Sequence, residues 1–292
     1  MLELSWLEHR MVPVTFMRFL CYFLCAMAVT LKFVTPASAD QVSLWEIGAG
    51  VAAIDFPDYR GSNERKSYVL PVPYVIYRGD FLKIDRQRVR GQLFHSDKVE
   101  LDVSVNGSVP VKNNGARLGM PNLDPTFEIG PSMNIMLYQT ESNQAQVELR
   151  LPVRAVIGSD FSYFRSVGWI FQPLLNLDVQ KVFQTEWNLG TAIGPIFTDR
   201  RYNQYFYGID AQYSRADRPA YSAHGGYAGT QFVIAMTKRS PTYWTSGFMK
   251  LDTLRGAAFE HSPLVKTKQY ATLGFALTWI FAESSTKVEE EK

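Results

Sequence analysis

Apolar and polar residues alternate with period two through most of the chain. In 99–106, Val99, Leu101, Val103 and Val105 share one face, and Glu100, Asp102, Ser104 and Asn106 share the other. In 145–157, Ala145, Val147, Leu149, Leu151, Val153, Ala155 and Ile157 oppose Gln146, Glu148, Arg150 and Arg154. Segments 126–138 and 167–180 repeat the pattern. Such alternation predicts strands with two unlike faces. The runs last about eight to fourteen residues, against the five or six usual in soluble strands. A tilted membrane strand needs roughly 9–11.

The position of the charges decides which face meets what. Asp102, Glu148, Arg150 and Asp178 fall in mid-strand. A Lys or Arg facing lipid at mid-bilayer costs about 2–4 kcal/mol. The polar face is therefore expected to line a lumen and the apolar face to meet outer-membrane lipid. Twelve candidate strands follow: 44–54, 67–77, 79–88, 97–106, 126–138, 144–157, 167–180, 186–198, 202–213, 227–238, 243–252 and 268–281. Aromatics fall near their ends, as at Trp45, Tyr77, Tyr138, Trp187, Trp244 and Trp279, like the girdles of a membrane barrel. The expected fold is all-β, a transmembrane antiparallel barrel of about twelve strands over 40–281. A soluble exported β-sandwich or lipocalin-like barrel is the alternative.

The one long apolar stretch, Phe19 to Val34, follows Arg10 and Arg18 and precedes Ala37-Ser38-Ala39. Positive, apolar and A-x-A regions in that order predict a cleavable export signal over 1–39, with a membrane anchor as the alternative. Met17 could serve as the start, because the signal is complete without residues 1–16. Both cysteines, Cys21 and Cys25, fall in the removed part. The mature chain is thus expected to lack disulfides and thiolate metal sites. No later apolar run is long enough for a spanning helix. A net charge of +2 gives no reason to expect nucleic acid as a partner. The polar tail 282–292, with Glu289-Glu290-Glu291, is expected to be disordered.

No motif predicts catalysis, a cofactor or a metal. His95, His224 and His261 are scattered without metal-ligand spacing. His261-Ser262 are neighbours in sequence, which is not the geometry of a nucleophile and its base. Glu128 and Glu148 could form an acid/base pair, but pairing with Arg150 and Arg154 in a polar plug is the stronger expectation. Gly48-Ala49-Gly50 reads as close strand packing, and Arg78-Gly79-Asp80 as a tight turn. Strict alternation puts the long connection 107–125 on the periplasmic side. That placement would suit an insertion that touches periplasmic enzymes.

Several short motifs occur in order. Phe56-Pro57-Asp58-Tyr59-Arg60-Gly61-Ser62 leads into Leu70-Pro71-Val72-Pro73-Tyr74-Val75. Glu128-Ile129-Gly130-Pro131 follows, then Leu254-Arg255-Gly256-Ala257-Ala258 and Ser262-Pro263-Leu264-Val265. Together they resemble the MipA/OmpV family of outer-membrane proteins, with Asp58, Tyr59, Gly61 and Ser62 as the signature loop. Thr272, Gly274, Leu277 and Trp279, in the last strand, resemble the C-terminal signal read by the outer-membrane assembly machinery. The resemblance implies a cell outer-membrane protein. It also implies a non-enzymatic scaffold that links a lytic transglycosylase to a murein synthase. The alternatives are a small-solute channel or porin, a surface adhesin, or an outer-membrane hydrolase. An eight-stranded barrel is filled and a sixteen-stranded one is open, so a strand count near twelve leaves scaffold and channel both standing.

Overall fold

The computed structural model describes residues 41–79, 82–84, 89–91, 93–96, 98–160 and 162–289. The expected export signal lies outside them. The long strands are β1 (Trp45–Pro57), β2 (Arg65–Arg78), β3 (Val99–Ser108), β4 (Thr126–Gln139), β5 (Ala145–Ser159), β6 (Phe164–Phe171) and β7 (Leu174–Val179). They continue with β8 (Trp187–Thr198), β9 (Gly226–Arg239), β10 (Tyr243–Thr253) and β11 (Gln269–Glu283). Both β6 and β7 pair with β5 and with β8. They form one pass, broken at Gln172-Pro173, where proline has no N–H for the ladder.

Neighbouring strands are antiparallel, in the order β2-β1-β11-β10-β9-β8-(β6, β7)-β5-β4-β3. The first and last long strands are hydrogen-bonded to each other, from Asp55↔Leu273 to Glu46↔Glu283. The short strands Leu82–Ile84 and Val89–Gly91 extend the sheet beyond β2, and Phe94–His95 extends it beyond β3. Among the described residues no ladder joins these two margins, so the ring of hydrogen bonds is open there.

The faces are inverted relative to a soluble protein. Along β4, Thr126, Glu128, Ser132 and Asn134 are buried while Phe127, Ile129 and Met133 are exposed. Along β11, Thr272 and Thr278 are buried, and Phe275, Leu277, Trp279 and Phe281 are 45–55% exposed. Apolar exposure continues around the sheet at Val51, Val69, Val153, Trp169, Ile193 and Leu251. A belt of this extent would aggregate in water and is satisfied by lipid. A lipocalin-like or sandwich fold would bury these residues instead.

Three expectations are corrected. Segment 202–213 is not a strand. Arg200–Tyr207 forms a helix, α1, whose first turn is capped by the Asp199 side chain accepting from the Tyr202 N–H. Its buried residues, Tyr202, Asn203, Phe206 and Tyr207, recur at i and i+4, which is helical rather than strand period. Candidate 79–88 is described only at Gly79 and over Leu82–Ile84; the rest lies outside the described residues. Among the described residues ten long passes stand, against about twelve expected. The ladders put the end of β2, at Arg78, and the start of β3, at Val99, at the same end of the sheet. The long connection 109–125 then lies at the same end as 58–64, 160–163, 199–225 and 254–268. The other end carries Glu46, Glu283 and the short connections 140–144, 180–186 and 240–242, so 107–125 lies opposite the start of β1 and the end of β11.

The tail is the third correction. Lys287–Glu289 pairs with Gln41–Ser43, the Lys287 ammonium donates to Ser43 Oγ at 2.8 Å, and the Ser284 N–H donates to the Trp45 carbonyl. Residues 282–289 are held by this ribbon; 290–292 lie outside the described residues. The main apolar core gathers the long connections, with Tyr59, Val111, Leu123, Phe206, Tyr207, Leu254 and Phe259, against the adjoining strand ends at Val156, Val167, Ile170 and Ile196.

Candidate functional site

The signature loop closes the long-loop end. Asp58, Tyr59 and Ser62 are all buried. Tyr59 donates its hydroxyl to the Leu264 carbonyl at 2.7 Å, and burial pushes that hydroxyl above its usual titration range. Gly61 has φ +94, a region that favours glycine, and a Cβ there would stand 2.8 Å from Leu254 Cδ1. Its carbonyl accepts the N–H groups of Lys266 and Thr267. Asn114 Nδ2 reaches across from the 109–125 connection to Asp58 Oδ2 at 2.9 Å and Ser62 Oγ at 3.2 Å. The Gly115 N–H donates to Glu64 at 2.7 Å.

Helix α1 supplies the centre of this cap. Tyr207 stacks on Phe259 with centroids 3.6 Å apart and planes 6° from parallel. Its hydroxyl donates to the Arg60 carbonyl at 2.9 Å, and burial raises its pKa well above the tyrosine range. Ser262 Oγ donates to the Tyr207 carbonyl at 2.7 Å. That hydroxyl is buried and committed, while His261 beside it is exposed, so the pair is not arranged as nucleophile and base. Asn203 Nδ2 donates to the His224 carbonyl. His95 lies in the short strand Phe94–His95, where it pairs with Glu100 of β3. Among the described residues no three His, Cys, Asp or Glu gather as metal ligands would.

Beneath the cap a belt of polar side chains crosses the lumen. Arg154 donates to Glu128 at 2.9 Å, to Gln172 at 3.0 Å and to Ser104 at 3.3 Å. Gln172 donates to Gln231 at 3.1 Å, and Gln231 donates to Asp252 at 3.2 Å. Asp252 also accepts from Arg60 at 3.3 Å, and Arg60 reaches the Tyr270 hydroxyl at 3.2 Å. The chain of contacts thus links β3, β4, β5, β9, β10 and β11 to the signature loop. Glu148 pairs with Arg150 lower down, so the predicted carboxylate–arginine pairing is what forms. Near the terminal end, Glu46 holds Arg78 at 2.9 Å, Arg239 at 3.0 Å and the Tyr74 hydroxyl at 3.0 Å.

The other predicted residues fall as follows. Thr272 and Gly274 face inward on β11, and Leu277 and Trp279 face outward. Gly48 and Gly50 lie against β11, where a Cβ would meet the Trp279 and Leu277 carbonyls at 2.3 and 2.1 Å. Arg78 and Gly79 begin the connection after β2; Asp80 lies outside the described residues. The sequence reading missed the cap as a unit. Its signal was present in Asp199, a helix-capping residue, followed by Tyr202 and Phe206 four apart.

Residues 47–281 match the model of the family described as MltA-interacting protein MipA. The chain is 23% identical over 263 residues to YiaT of Escherichia coli (strain K12), whose name places it in the outer membrane. The match covers 86% of this chain and 95% of that one. Among solved structures, an outer membrane channel from Pseudomonas putida F1 aligns over 85% of this chain and all of its own. That pair has 12% identity and a TM-score of 0.45. The Ralstonia pickettii toluene transporter TbuX aligns over 83% of this chain and 70% of its own, with 8% identity and a TM-score of 0.23.

Proposed function

This chain belongs to the MipA family of outer-membrane proteins, and we propose that it works there as a plugged, non-enzymatic scaffold rather than as an open pore. The observation that carries the reading is the cap: an apolar core across the long-loop mouth, tied by Tyr59, Asn114, Tyr207 and Ser262 to four connections. A lumen crossed by matched side chains and roofed by packed aromatics serves to hold a shape.

Short turns and termini of such barrels face the periplasm and long loops face outward. On that orientation the periplasmic face is built from 140–144, 180–186, 240–242 and the terminal ribbon. It is there that a lytic transglycosylase or a murein synthase would dock, the partners that the family resemblance implies; the family's descriptive name speaks of an MltA-interacting protein. In the turn 180–186, Phe183 is 89% exposed, and Lys181, Phe183 and Gln184 all have positive φ. Left-handed backbone at non-glycine residues is costly and clusters at functional surfaces.

A photo-crosslinking residue at Gln184 or Glu141, in intact cells, tests the docking. The expected products contain a lytic transglycosylase or a murein synthase, and the same probe at Arg255, on the opposite end, captures neither. Capture of assembly factors alone from the short turns would overturn the scaffold reading.

A further inference from the structure

Beside the cap, the long-loop end carries an open cleft of about 700 Å³ between β6, α1 and the 109–125 connection. Arg117, Arg165, Arg200 and Arg201 line it, against the carboxylates of Asp199 and Asp210. Of these four arginines only Arg165 has an ion-pair partner among the described residues. Asp199 is occupied by two backbone donors, the N–H groups of Trp169 and Tyr202, each at 3.0 Å. Arg165 pairs with Asp124 at 2.8 Å and lies over the Tyr205 ring at 4.5 Å. Among the described residues the Arg200 side chain reaches only Ser222 Oγ, at 3.4 Å. Arg201 has no hydrogen-bond or ion-pair partner among the described residues and is exposed.

Arg117 is the second, independent pointer. It is 8% exposed and held by two neutral carbonyls, Phe206 at 2.9 Å and Pro121 at 3.3 Å, and its Nε has no partner. No carboxylate neutralises it among the described residues, and burial pushes its pKa down. Behind the cleft, Arg218 is also buried and among the described residues bonds only to carbonyls, those of Ala116, Leu118 and Tyr213. Burying a cation without a counter-charge is strongly unfavourable. An anion in the cleft would supply the missing charge.

We propose that this cleft binds a phosphate group. Guanidinium forks take oxyanions bidentately, and a phosphate offers three acceptor oxygens to several forks at once where a carboxylate offers two. Adjacent arginines at the first turn of α1 add to the attraction, because the helix N-terminus carries partial positive charge. The phosphate can belong to a lipid headgroup of the outer leaflet or to a free solute. The site is independent of the periplasmic partner proposed above.

The test uses the full folded barrel in maltoside micelles, which contain no phosphate. One arm titrates inorganic phosphate, followed by ³¹P NMR. The other titrates lipid A, with dephosphorylated lipid A as its control. At least one phosphate-bearing probe is expected to bind. Its binding weakens tenfold or more in Arg200→Gln/Arg201→Gln and is unchanged in Arg255→Gln, at the same end. Both altered positions are exposed, and heat-modifiable migration confirms folding. Saturation by inorganic phosphate identifies a free solute; response to lipid A alone identifies the headgroup. Absence of binding in both arms, or equal binding by the double variant and the unmodified chain, would overturn the proposal.

Discussion

Replacing Arg154 by Met is expected to lower the unfolding free energy of the barrel by about 3–5 kcal/mol. Arg154 and Glu128 are 4% and 6% exposed, and their 2.9 Å contact is the heart of the polar belt. Removing the guanidinium leaves the Glu128 carboxylate buried without its partner, and it takes a donor from Gln172 Oε1 and Ser104 Oγ. Removing both charges together, in Arg154→Met/Glu128→Leu, leaves no such orphan and should recover most of the loss. Urea unfolding in lipid vesicles reads both values. A single variant within about 1 kcal/mol of the unmodified chain would mean that water reaches the pair and the belt is not dry.

The second large effect concerns the cap alone. Phe259 is fully buried against Tyr207 and makes no polar contact that a truncation would confuse. Phe259→Ala opens a cavity in the cap core, at a cost of about 3–5 kcal/mol. The strands do not depend on this side chain, so the barrel should still fold and migrate as a heat-modifiable species. The connections should open, because they are held by the cap more than by any ladder. Limited trypsin digestion should cut the variant at Arg215, Arg255 or Lys268 while the unmodified chain resists. Equal resistance of the two would show that the stack does not hold the mouth shut.

Most of the wall was legible in the chain because a strand writes its two faces directly into alternate residues. Val105 and Val153 were expected on the outer face and are exposed; Glu128 and Arg154 were expected to pair inside and do so. The cap was not legible for the same reason. Its aromatics are spread over 58–64, 109–125, 199–225 and 254–268, and what unites them is contact between distant segments. In α1 the helical spacing of Tyr202, Asn203, Phe206 and Tyr207 was masked by Tyr205, which puts an aromatic on the opposite face too. That ambiguity made the segment look like a strand. The expected placement of 107–125 counted strands from the N-terminal side, whereas the ladders of β3 with β4 and of β4 with β5 set its end directly. The tail failed on local composition: Glu289 lies in an acidic run, yet it pairs with Gln41 once the first and last strands bring the termini together.

The central claim, that the lumen is closed by its own cap and belt, is tested most directly by planar-bilayer recording of the unmodified full-length barrel. The structure predicts no steady current at low voltage. A stable, reproducible ion conductance from the purified folded chain would contradict it and return the protein to the channels.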